Sequence, residues 1–127
     1  NVIDPEFGHL IPSINKKFID PIAALGPHVA PLGIAFYDQD IFPAKYKNSL
    51  FVALHGSWNR TKKSGYKLVF IQLDEEGNYV SQEDFITGWL SSESAWGRPV
   101  SPYIMSDGSM LLSDDKYNVI YRVSYKG

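Results

Sequence analysis

The chain has 127 residues, a formal net charge of −2, 20% charged and 44% hydrophobic residues, and no cysteine. These totals suit one globular domain. They exclude disulfides and thiolate metal sites, offer no basic stripe for nucleic acid, and include no apolar run near the ~18 residues that a membrane-spanning helix needs.

Eight Tyr, seven Phe and three Trp are many for this length and favour sheet over helix. The chain begins with Asn1 rather than Met and carries no charged-then-apolar leader. The expectation is therefore that a leader has been removed or that the chain is a piece of a longer one.

Residues 1–31 read as a Pro-rich irregular segment or linker. Pro5, Pro12, Pro21, Pro27 and Pro31 recur too often for a regular helix or a central strand, and at most one helical turn fits, at 20–25. From residue 32 the texture changes to short apolar or aromatic runs between turn residues. Strands are expected at 33–37, 49–54 and 66–73, with a weaker one at 84–87. A second set is expected at 100–105, 110–113 and 119–124. "DEEGN" (74–78) and "SDG" (106–108) make good hairpin turns, because glycine accepts positive φ without a Cβ clash. Helical periodicity is absent from these windows, so the fold class is all-β.

The two sets share an order of strand, loop, strand, loop, strand. Repeated antiparallel units of this kind are how propeller blades look in sequence. Two units cannot close a ring, and two blades alone leave apolar faces uncovered. From these patterns alone, a small β-sandwich stays open as the other reading.

Seven motifs stand in series: "HVAPLGIAFY" (28–37), "FP" with Tyr46 (42–46), "LFVALHGSWNR" (50–60), "GYKLV" (65–69), "DFITGWL" (84–90), "WGRPV" (96–100) and "DGSMLLSDDKYNVIYRVSY" (107–125). In this order they resemble the C-terminal part of the glucose/sorbosone dehydrogenase family, most closely its sorbosone-dehydrogenase-like branch. The resemblance implies antiparallel blades of a six-bladed β-propeller, about two of them in residues 32–127. It implies a periplasmic or secreted enzyme that oxidises a sugar with pyrroloquinoline quinone (PQQ) as electron acceptor, Ca²⁺ often helping to hold the quinone. The family's general-base His lies in an earlier blade, and nothing in this chain matches it. Catalysis by the chain alone is therefore not expected.

PQQ is a flat tricarboxylated quinone, so its pocket should offer cations and a surface for the ring. Arg98 in "WGRPV" matches an Arg that meets the cofactor in the family, and a guanidinium can pair two carboxylate oxygens at once. A loop Arg paired with Glu93 is the plain alternative. A second family Arg, two positions on, is Val100 here. The loop behind the strand 49–54 would present His55, Trp58 and Arg60 to the mouth of the site, with Arg60 standing nearest to a family Lys that lies against the quinone. Trp58 could stack on the ring or pack between blades, and His55 could equally be a structural group.

His28 would face the propeller axis or bond its own loop. It precedes Gly33, whose missing side chain allows a close backbone approach. Asp114 and Asp115 in "SDDKYN" suit an Asx turn better than a Ca²⁺ site, which needs more ligands. "NRT" (59–61) is a formal glycosylation sequon. Beyond a sugar substrate, the expected partners are the missing blades or further copies of the chain. The rival to a dehydrogenase fragment is a non-catalytic module that self-associates or pairs with another chain. A carbohydrate-binding β-sandwich is a third, weaker reading.

Overall fold

The computed structural model describes residues 3–10 and 19–127. Among the described residues are two short 3-10 turns, Gly8–Leu10 and Ala44–Tyr46, and nine strands. The strands are β1 (Pro31–Tyr37), β2 (Ser49–Leu54), β3 (Lys67–Leu73), β4 (Tyr79–Ile86), β5 (Leu90–Ser91), β6 (Ser94–Ala95), β7 (Pro99–Ile104), β8 (Met110–Asp114) and β9 (Val119–Val123). They form an antiparallel sheet β1-β2-β3-β4, a small hairpin β5-β6, and an antiparallel sheet β7-β8-β9. Strictly sequential meanders are the order of propeller blades, whereas a sandwich crosses over between its sheets. The all-β reading with two blades stands.

β2 and β3 are continuous apolar runs because both of their faces are covered. One face, built on Phe51, Ala53, Leu68 and Phe70, packs with Tyr37, Phe42, Trp89, Met110 and Leu112 into the core between the two sheets. The other, with Val52, Leu54, Val69 and Ile71, lies under Val29 and the partly buried Ala23 and Leu25. The inter-sheet core is strongly aromatic. Tyr37 stacks on Phe42 at 4.8 Å, and its hydroxyl donates to the Gly108 carbonyl at 3.0 Å while accepting the Phe42 N–H at 2.9 Å. That phenol ties the end of β1 to the β7–β8 turn.

Three local expectations change. No helical turn forms at 20–25, where the chain runs irregularly over the outer face of the first sheet; one turn has too few hydrogen bonds to hold itself, and Ala23 and Leu25 pack onto the apolar face instead. β4 starts at Tyr79, five residues ahead of the expected 84, as an edge strand with no fully buried position. The hairpin β5-β6 was not foreseen. Its turn residues Ser92 and Glu93 take positive φ of 45° and 61°, the backbone of a two-residue hairpin turn, without the usual Gly or Asn.

Candidate functional site

The pairings Pro31↔Leu54 and Pro99↔Asp114 place the starts of β1 and β7 beside the ends of β2 and β8. Four segments therefore meet at one end of the two sheets: residues 28–30, the β2–β3 loop 55–66, Arg98, and residues 114–115. The loop is pinned where it begins. His55 N–H donates to the Ala30 carbonyl at 3.0 Å and Gly56 N–H to the Val29 carbonyl at 2.9 Å. Gly56, at φ 100°, lies flat on the Tyr66 ring, where a Cβ would come within 2.6 Å of the ring carbons. Tyr66 is itself buried in a left-handed conformation (φ 58°), a strained backbone held by packing on all sides. Its hydroxyl donates to the Ser57 carbonyl.

Arg98 enters this frame half-buried, from the second sheet. Its backbone N–H donates to Asp114 Oδ1 at 3.0 Å. Its Nη2 donates to the Ser57 carbonyl at 3.0 Å and to the Tyr66 hydroxyl at 3.1 Å, and the guanidinium sits 5.1 Å from the Tyr66 ring centroid, within cation–π range. Nη1 lies 3.4 Å from His55 Nδ1. The other ring nitrogen, His55 Nε2, is 2.9 Å from Asp115 Oδ1. Asp115, His55 and Arg98 thus form a chain of three polar side chains running from solvent to the inter-sheet junction.

Asp114, next in sequence, is buried and structural. Its Oδ1 accepts the N–H groups of Arg98, Lys116 and Tyr117, and its Oδ2 accepts the Tyr121 hydroxyl at 3.3 Å. Burial pushes the Tyr121 phenol above its ordinary value; the hydrogen bond from Trp89 opposes this and the Asp114 carboxylate reinforces it. Tyr121 therefore stays a donor toward Asp114. Gly97 completes the corner, since a Cβ there would lie 2.3 Å from Asp114 Oδ2.

Of the residues singled out in the sequence, the fold brings Arg98 and His55 into direct contact. Arg60 is apart from them: its Nη1 donates to Ser64 Oγ at 3.2 Å and reaches the Pro27 carbonyl at 3.5 Å, bracing the loop. Trp58 is 85% exposed and packs between no strands. His28 is exposed at φ 59°, on the segment that pairs with the loop. Glu93 does not pair with Arg98; it accepts the Lys63 N–H at 2.6 Å.

Tyr66, Ser57 and Asp115 were missed as members of this cluster. Asp115 was within reach of sequence reasoning: counting outward from the "SDG" turn sets residue 99, the neighbour of Arg98, opposite 115, and the irregularity between Pro99 and Pro102 shifts this by one residue to Pro99↔Asp114. A shallow depression of about 330 Å³ opens beside it, lined by Val100, Ser113, Asp115, Asn118 and Ile120 among others. Among the described residues no group of three or more His, Asp or Glu is placed to hold a metal ion, and no helix is long and apolar enough to cross a membrane.

Known proteins share this arrangement of strands. An uncharacterized protein of Borreliella burgdorferi is 46% identical over 114 residues, covering 88% of this chain and 30% of its own length. A pyrroloquinoline quinone-dependent pyranose dehydrogenase of Coprinopsis cinerea is 41% identical over 58 residues, 45% of this chain and 7% of that protein. The holo PQQ domain of the C. cinerea pyranose dehydrogenase superposes with a TM-score of 0.60 at 26% identity, covering 78% of this chain and 27% of the domain. A family AA12 carbohydrate-active enzyme of Trichoderma reesei, in its calcium structure, shares the fold with a TM-score of 0.70 at 22% identity over 91% of this chain and 29% of its own. The chain thus spans less than a third of the length of these relatives. The family model described as TrAA12-like matches residues 13–126, nearly the whole sequence, and the chain belongs to that family.

Proposed function

We propose that this chain is the C-terminal portion of a PQQ-dependent sugar dehydrogenase, contributing a cofactor anchor but not the catalytic base. The observation that carries the reading is Arg98. It is half-buried where the two sheets meet, in a chain whose relatives include a PQQ-dependent pyranose dehydrogenase. Three of its five N–H donors are turned to Ser57, Tyr66 and His55. Nε–H and the second Nη1 hydrogen have no protein acceptor among the described residues. A rigid guanidinium with donors to spare fits one carboxylate of a tricarboxylated quinone.

In this reading Arg98 binds and orients the cofactor. The buried Tyr66 and the Gly56 turn keep the guanidinium from swinging away, and His55 stands beside it. The bound quinone would supply the two-electron acceptor for oxidation of a sugar hydroxyl or aldehyde. The base that takes the substrate proton would come from polypeptide outside this chain. Arg60, Trp58 and His28 lie on the same end of the sheets and would border the mouth of the site. A sorbosone-like substrate, Ca²⁺ held by other blades and a periplasmic or secreted location belong to the same proposal.

The test is a PQQ titration of the chain followed by tryptophan fluorescence, repeated on Arg98→Ala. Saturable quenching that weakens about tenfold in the variant, the worth of one charge-assisted pair, is the expected result. A folded chain that does not bind PQQ overturns the reading. A second reading, a non-catalytic module that associates with itself or another chain, is favoured by the exposed apolar side chains of β1, Leu32, Ile34 and Phe36.

A further inference from the structure

We infer that His55 and Asp115 are positioning residues for Arg98, acting through one tautomer of the His55 ring. A guanidinium has only donors, so the 3.4 Å contact between Arg98 Nη1 and His55 Nδ1 requires Nδ1 to be the acceptor. In the neutral ring the proton is then on Nε2, which points at Asp115 Oδ1, 2.9 Å away. That carboxylate oxygen accepts it. The polarity of the chain is thereby set from end to end: His55 donates outward to Asp115 and accepts inward from Arg98. A second ring nitrogen commonly fixes the tautomer of a working histidine in this way.

The three residues come from different elements. His55 follows β2 of the first sheet, Arg98 precedes β7 and Asp115 follows β8 of the second. The ring therefore bridges the two sheets at the point where Arg98 needs a lateral stop. Ser57 and Tyr66 hold Nη2 from one side, and His55 holds Nη1 from the other. With both terminal nitrogens restrained, the guanidinium plane is fixed before any ligand arrives, which lowers the ordering cost of a planar carboxylate contact. The His55 side chain is only 17% exposed whereas Asp115 is 60% exposed, so the orienting carboxylate remains in water and adds little desolvation cost. The consequence for the quinone rests on the reading of Arg98 as its anchor; the positioning itself does not.

Two measurements test this on the chain as it stands. The first is a long-range ¹H–¹⁵N correlation spectrum of histidine- and arginine-labelled protein, with His55 assigned by its loss in His55→Gln. The expected pattern is the Nε2–H tautomer for His55, together with separate, slowly rotating Nη signals for Arg98 that collapse in Asp115→Ala and His55→Ala. They should persist in His55→Gln, because a glutamine amide offers an acceptor to Arg98 and a donor to Asp115. An Nδ1–H ring, or Arg98 signals unchanged by both alanine variants, overturns the inference.

The second measurement is PQQ affinity of the same variants. A loss of about threefold to tenfold in the two alanine variants, with recovery in His55→Gln, is expected for one hydrogen bond. Equal affinities throughout overturn the link from positioning to the cofactor. Absence of PQQ binding even to the unsubstituted chain strikes instead at the proposed function, and leaves the tautomer and Arg98 signals to decide the positioning.

Discussion

Gly33 of β1 and Ser101 of β7 meet backbone to backbone: a Cβ on Gly33 would lie 2.4 Å from the Ser101 Cα and 2.5 Å from the Val100 carbonyl oxygen. Neither atom is the end of a flexible side chain, so nothing there can step aside. The two sheets are in register with one another because position 33 is empty. Gly33→Ala should therefore push β1 off β7 and destabilise the chain by about 2–3 kcal/mol, the scale of an overpacked core. Urea unfolding checks it, and the near-ultraviolet signal of the aromatic core should weaken in the same variant.

Gly56 and Gly77 separate two costs that glycine substitutions usually mix. Both have positive φ, 100° and 83°, but a Cβ on Gly56 would run into the Tyr66 ring at 2.6 Å whereas one on Gly77 would meet nothing within 4 Å. Gly77→Ala should show the backbone term alone, about 1 kcal/mol. Gly56→Ala adds the clash and should cost about 3 kcal/mol or more. Because Tyr66 braces Arg98, Gly56→Ala should also free the Arg98 guanidinium, visible in its ¹⁵Nη signals, and Gly77→Ala should not.

Asp114 holds the start of β7, the turn after β8 and Tyr121 together with one carboxylate. Removing it in Asp114→Ala strands three backbone N–H groups and a phenol and should cost on the order of 3 kcal/mol. Asp114→Asn keeps an acceptor for the N–H groups, and Tyr121 can turn its hydroxyl to accept from the new amide. More than half of the stability should return, as read from the urea midpoints of the two variants.

What could be read in the sequence follows from which forces are local. β2 and β3 show plainly because apolar runs between turns have one meaning when both faces are buried. β4 was seen only in its last residues, because an edge strand such as "YVSQEDFI" has little to bury. The β5-β6 hairpin was hidden because Ser92 and Glu93 adopt a turn usually marked by glycine or asparagine. At the site, "WGRPV" exposed Arg98, but its partners Ser57 and Tyr66 stand 41 and 32 residues away. They are joined to it only by the packing of one sheet on the other, which no local pattern records. Arg60 reads in the sequence as the cation nearest to a family Lys; the fold adds that its Nη1 is turned to Ser64 and Pro27 rather than toward Arg98.

Asp107 sets an acid limit. The Ser109 hydroxyl and backbone N–H, with the Arg122 guanidinium beside them, hold its carboxyl below the ordinary value of 3.8. Asn78 does the same for Asp74 in the β3–β4 turn. A carboxyl more acidic in the folded than in the unfolded chain contributes stability that is whole above 3.8 and is lost as pH falls through the lower folded value. Asp107→Asn should therefore be less stable than the unsubstituted chain at about pH 6 and converge with it toward about pH 2. The Asp107 carboxylate is solvent-exposed, so the Arg122 share of the effect should also shrink in salt. Urea midpoints across this range, at low and high ionic strength, make the check.

Leu32, Ile34 and Phe36 point to the same side of β1 and are 54%, 61% and 50% exposed. The pairings Ile34↔Val52 and Phe36↔Leu50 put them on the sheet face that carries Val52, Leu54, Val69 and Ile71. Residues 19–30 cover only part of that face; a groove of about 250 Å³ between Ile22, Leu25, Leu32, Ile34 and Ile71 continues it to the surface. Three large apolar side chains in a row on an inner blade strand are a surface made to be covered, so the chain by itself should associate with rising concentration. Sedimentation velocity should show a shift from monomer to larger species, reversed in Ile34→Asp, which puts a charge at the centre of the row. An unsubstituted chain that stays monomeric at high concentration would mean that residues 19–30 and their neighbours protect this face well enough, and would remove the main support for an interaction module.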